Sequence, residues 1–104
     1  MSDLETPSKK VRNVIEEIIR KSLVGVVFDR IVVTPEHDEF GERVLIIRAV
    51  YDGDFRRLDA GKMASLVPLM RPKLEKRGET AFPLIVLIDK TELEGQDDEL
   101  ERLY

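Results

Sequence analysis

Residues 42–52 read Glu-Arg-Val-Leu-Ile-Ile-Arg-Ala-Val-Tyr-Asp, and this stretch decides the fold. It is rich in β-branched residues and too short for a typical buried helix, so it predicts a strand. Leu45, Ile47, Ala49 and Tyr51 point one way; Val44, Ile46, Arg48 and Val50 point the other. Both sets are largely apolar, the mark of a strand covered on both sides. Asp52-Gly53-Asp54 ends it with turn chemistry, an Asp accepting from nearby backbone and a Gly free to take positive φ.

Upstream, Val26–Thr34 predicts a second strand, joined to the first through Pro35-Glu-His-Asp-Glu-Phe-Gly41 as a hairpin. Before it, Val11, Val14, Ile15, Ile18, Ile19 and Leu23 form one apolar stripe at helical spacing, which predicts a helix over about 8–23. Thr6 or Ser8 can cap that helix, Pro7 fits its first turn, and Gly25 is placed to stop it. Downstream, Met63, Leu66, Val67, Met70 and Leu74 keep the same spacing, with Asp59 as N-cap and Gly78 past the end. Pro68 and Pro72 fall inside it, and an interior proline costs about 3 kcal/mol. Two short helices or one kinked helix are therefore expected, lying on one surface. Phe82–Asp89 predicts a third strand, with Pro83 suited to a strand start or an edge. The expected fold is α+β: a single-domain two-layer sandwich of order α-β-β-α(α)-β, with a three-stranded sheet and helices on one face. Residues 1–7 are expected to be a flexible N-terminus, 8–89 the domain and 90–104 an acidic tail.

Composition bounds the chemistry. The 104 residues contain no Cys and one His, which excludes disulfides, thiolate or iron–sulfur ligation, and a multi-histidine metal site within one chain. The longest apolar run, Leu84–Ile88, is too short for a membrane span. The N-terminus lacks the basic-then-apolar signal pattern, so a cytoplasmic location is expected. The net charge of −4 conceals segregation: residues 8–21 sum to +3, 29–42 to −4, 56–77 to +5 and 89–104 to −5. Such blocks are ordinarily solvated faces of separate elements, but they also suit pairing with a second copy or a charged partner.

Three strands apolar on both faces and two helical segments do not balance. If both helices lie on one face, the other exposes Val44, Ile46, Val50, Leu84, Val86 and Ile88, more apolar surface than a soluble monomer usually leaves open. These six are the candidate interface. A second copy is the favoured cover; a different protein, the chain's own tail or helices, and a ligand are the alternatives. Arg56, Arg57, Lys62, Arg71, Lys73, Lys76 and Arg77 form a candidate patch for anions or an acidic partner. Only Phe55 stands beside it, which is poor provision for stacking on bases. Asp52, Asp54 and Asp89 would meet at one sheet edge if their strands run parallel, a minor alternative as a divalent-metal site. His37, among Glu36, Asp38 and Glu39, has no nucleophile beside it in sequence, and the isolated glycines build no phosphate loop.

The element order over residues 8–89 resembles that of type II KH domains and the related BolA-like fold. The resemblance implies the fold. The KH family's Gly-X-X-Gly clamp for a nucleotide backbone is missing, and BolA-like proteins bring an iron–sulfur-ligating histidine near the last strand, whereas His37 lies in the first hairpin. Leu58-Asp59, Arg71-Pro72 and Phe82-Pro83 are also similar to small uncharacterised bacterial proteins with no established chemistry. The expected function is a non-enzymatic interaction module, homodimeric or partner-binding, without a cofactor; a KH-like nucleic-acid-binding module using residues 56–77 is the alternative.

Overall fold

A computed structural model describes residues 4–93. Its elements are α1 (Lys9–Ser22), β1 (Val27–His37), β2 (Arg43–Asp52), a short 3-10 turn (Phe55–Arg57), α2 (Ala60–Glu75), β3 (Phe82–Asp89) and α3 (Lys90–Leu93). The sheet order is β1-β2-β3, with β1 and β2 antiparallel and β2 and β3 parallel. β2 is thus the central strand, which is why both of its faces are apolar. The parallel β2–β3 pair requires a crossover, and α2 provides it.

The two long helices share one side of the sheet. Ile15 and Ile19 from α1, Leu23 at its C-cap, and Leu66, Met70 and Leu74 from α2 meet Leu45, Ile47, Ala49 and Phe28 in a single core. Burying these side chains supplies the main stabilising term, about 1.5–3 kcal/mol for each large aliphatic side chain. α1 begins where the Ser8 side chain accepts from the Val11 N–H at 3.2 Å. Pro7, expected in the first turn, instead precedes the cap and is buried.

Two expectations are corrected and one alternative is decided. First, β1 does not stop at Thr34: it runs on through Pro35 to His37, pairing Pro35 with Leu45 and His37 with Arg43. β1 is an edge strand, where a proline can turn its missing donor away from the ladder. The turn is confined to Asp38–Glu42, held by Asp38 Oδ1 accepting from the N–H groups of Phe40 and Glu42, both at 2.9 Å. Second, of the two alternatives left open for this segment, α2 takes the single helix. Pro68 and Pro72 are exposed and four residues apart, so both lie on the solvent side, where water can satisfy the carbonyls that lose their donors. The buried stripe Leu66, Met70, Leu74 on the other side holds the helix to the sheet. Third, Lys90–Leu93, assigned to the tail, form α3, which packs back on β2 and β3. Asp89 Oδ1 caps it, accepting from the Thr91 N–H at 2.9 Å and hydroxyl at 2.7 Å. Residues 94–104, the rest of the expected acidic tail, and residues 1–3 lie outside the described residues.

Candidate functional site

The strand register fixes which residues share the side of the sheet away from α1 and α2. Across the sheet the rows are Glu36, Val44, Phe82; Thr34, Ile46, Leu84; Val32, Arg48, Val86; and Arg30, Val50, Ile88. This face grades from mixed and charged on β1 to wholly apolar on β3. Arg48, in its centre, donates to the Thr34 hydroxyl at 3.4 Å. The six candidate interface residues therefore do share one face, as alternation requires.

They are not equally available. Val50, at the end of β2 beside α3, has 0% of its surface exposed, and Val44 has 7%, so neither can meet a partner. Ile46 and Ile88 are half-buried. Leu84 and Val86 keep 43% and 44% exposure, and Phe82, which the candidate set omitted, keeps 41%. The open apolar surface is thus the β3 margin and not the whole face. The central strand is shielded by its neighbours, while β3 has no neighbour beyond it.

The same margin continues round the edge onto the helix side. A groove of about 330 Å³ runs between α2 and β3, lined by Met63, Leu66, Val67, Pro83, Ile85 and Leu87, with Phe82 and Leu84 at its lip. At one end the Arg71 guanidinium stands over the Phe82 ring, 5.1 Å from its centroid, a cation–π contact. At the other end of β3 lie the carboxylates of Asp89 and Glu92. The start of β3 is anchored by Glu79 in the turn after α2. This buried carboxylate accepts from Arg43 Nε at 3.3 Å, Arg43 Nη2 at 3.1 Å and the Ala81 N–H at 3.1 Å. Sequence reading missed this pair, since 36 residues separate its members.

The basic residues do not form one surface. Lys62 lines a pocket against Lys21 and Ser22 of α1. The Glu17 carboxyl of α1 is held below its usual range first by the Lys21 hydrogen bond and charge and then, more weakly, by the charges of Lys73 and Arg77. Arg71 is on the opposite flank of α2, toward β3. Lys62 and Lys76 are also separated along the axis by about 20 Å, at 1.5 Å per residue. Arg56 is engaged by Asp54 at 2.7 Å, and the Asp54 carboxyl is held below its usual range first by that side-chain bond and then by the Arg56 backbone N–H.

The three aspartates do reach one end of the sheet, since Tyr51 pairs with Asp89 and Asp52 follows. They are otherwise occupied: Lys90 lies 3.3 Å from Asp29 and 4.0 Å from Asp52, Asp89 caps α3, and Asp54 holds Arg56. Among the described residues no three His, Cys, Asp or Glu side chains are grouped to hold a metal ion. His37 is exposed at the end of β1. Phe40 at the β1–β2 tip and Phe55 in the 3-10 turn are exposed aromatics that periodicity could not flag. No helix among the described residues is long and apolar enough to cross a membrane. No family model matches the chain, and neither the curated proteins nor the solved structures contain a match to it.

Proposed function

We propose that this chain is a non-enzymatic interaction module that binds protein through the β3 margin of its sheet. The observation that carries this reading is the exposure of Phe82, Leu84 and Val86 on an edge strand that has no charged residue from 82 to 88. Edge strands in soluble proteins are ordinarily guarded by charge, bulges or cover, because their free N–H and C=O groups invite another strand. Here the guard is confined to Pro83 at the strand's second residue. An open edge flanked by a helix and an apolar groove supports strand addition, in which the backbone supplies affinity and the groove takes alternate side chains. Nucleic-acid binding has less behind it, because the basic residues divide between two flanks of α2.

The test is NMR of the 15N-labelled chain in a dilution series and in a titration with a strand peptide of alternating valine and threonine. Amide signals of residues 82 and 84–88 should move in at least one of the two. Signals that stay fixed in both, with the mass of a monomer throughout, would overturn the reading.

A further inference from the structure

Resting on that reading, we infer that the occupant of the β3 margin is a second copy of the chain, with β3 of each copy paired antiparallel about a two-fold axis at Ile85. Four features converge on this arrangement. The uncharged run Phe82–Ile88 is centred on Ile85, so the two-fold sets seven uncharged residues of one copy against the same seven of the other. No like charges are opposed, and Leu84 of each copy stands beside the second copy's Val86 on the open face, an aliphatic cross-strand pair. Second, opposed residues in an antiparallel pair share a face, so Pro83 meets the second copy's Leu87 on the helix side. Both helix layers then lie on one side of a continuous six-stranded sheet. A one-residue slip would turn one copy over and separate the layers.

Charge complementarity fixes the direction. Arg71 sits over Phe82 at the start of β3, and Asp89 ends the strand, on the same helix side as Ile85 and Leu87. Antiparallel pairing puts the start of one β3 against the end of the other, so Arg71 of each copy faces the second copy's Asp89, twice by symmetry. Parallel pairing would instead bring Arg71 against Arg71. Finally, the groove between α2 and β3 opens on this edge, and across the two-fold each groove faces its counterpart, so the two close on one another. A symmetric interface of this kind is closed and does not propagate into fibres, unlike a head-to-tail contact.

The test is light scattering after size exclusion across a concentration series, with circular dichroism confirming the fold of every variant. The wild-type chain should show twice the monomer mass. Leu84→Lys should raise the dissociation constant at least ~30-fold, the size expected for an interface hot spot. If that variant fails to fold, Val86→Lys answers the same question. Arg71→Asp alone and Asp89→Arg alone should each be monomeric, but their mixture should re-form a dimer, because both inter-copy pairs are then opposite in charge. A monomeric wild type, a dimer indifferent to Leu84→Lys, or a mixture that stays monomeric would overturn the inference. A monomer whose β3 signals still move with the valine–threonine peptide removes the second copy and leaves the interaction reading standing. A monomer that ignores the peptide removes both.

Discussion

Replacing Glu79 tests how β3 is held in place. Its side chain is 9% exposed and that of its partner Arg43 20%, so the pair is largely withdrawn from water. Three hydrogen bonds converge on the carboxylate: two from the Arg43 guanidinium and one from the Ala81 N–H. Glu79→Ala removes all of them and leaves a half-buried guanidinium and a buried backbone donor without this acceptor. Removing one partner of a buried pair costs about 3–5 kcal/mol. Arg43 retains some access to water, so a loss of about 2–3 kcal/mol is expected. At about 4–8 °C per kcal/mol for a domain of this size, the midpoint should fall by about 8–24 °C. Arg43→Ala should cost about as much, because it leaves the more deeply buried Glu79 carboxylate with only the Ala81 N–H. A double-mutant cycle on urea unfolding should give a coupling of about 1.5–3 kcal/mol, the range for hydrogen bonds to charged groups. Because the pair joins the first residue of β2 to the turn that delivers β3, Glu79→Ala should also speed hydrogen exchange at Ala81 and Phe82. A coupling below about 0.5 kcal/mol, with exchange unchanged, would refute the claim that this contact sets the position of β3.

Three further outcomes follow from the packing and the titratable groups. Pro68→Ala and Pro72→Ala should each stabilise the chain by about 1–2 kcal/mol in urea unfolding. Each restores a helical donor, and the gain is partly offset by a freer unfolded chain; destabilisation would mean the exposed rings make contacts that hold α2. Met70→Ala, at a site with no exposed surface beneath the middle of α2, should cost about 2–5 kcal/mol through the cavity it leaves, and a loss below 1 kcal/mol would show that the core collapses around it. Burial, reinforced by the negative charges of Asp89, Glu92 and Asp54, pushes the Tyr51 hydroxyl above its ordinary pKa near 10. A raised folded pKa means that its stabilising contribution is complete below pH 10 and is lost as pH climbs toward the folded value. Urea midpoints should therefore decline above pH 10 more steeply in the wild type than in Tyr51→Phe; parallel declines would remove Tyr51 as the cause.

Much of the architecture can be read directly from local pattern. The stripe Val11–Leu23 gives α1 because helical periodicity and the Ser8 cap agree. Alternation in residues 43–52 and 82–89 gives two strands with two apolar faces, and the order α-β-β-α-β follows. Where local signals conflict, pattern reading fails in the direction the stronger local rule dictates. Pro35 argued for a turn, yet β1 runs through it; Pro68 and Pro72 argued for a break or a kink, and a single helix spans both. Each proline sits on a side of its element that needs no donor: the edge of β1, and the solvent face of α2. Which side a residue occupies depends on what packs against the element.

The candidate site divides in the same way. That Val44, Ile46, Val50, Leu84, Val86 and Ile88 share a face follows from the two-residue period of a strand and needs no coordinates. Which of them remain open depends on strand order: placing β2 in the centre buries Val44 and Val50, and leaving β3 at the edge exposes Leu84, Val86 and Phe82. The seven basic residues of 56–77 read as one block along the chain, yet the single turn-by-turn path of α2 sends Arg71 to one flank and Lys62 and Lys73 to the other. Composition by itself excluded cysteine and multi-histidine chemistry, and periodicity by itself set the elements and their apolar faces, because both depend on residues close in the chain. The edge, the groove beside Arg71 and the Arg43–Glu79 anchor depend on contacts between distant residues, which only the packed fold brings together.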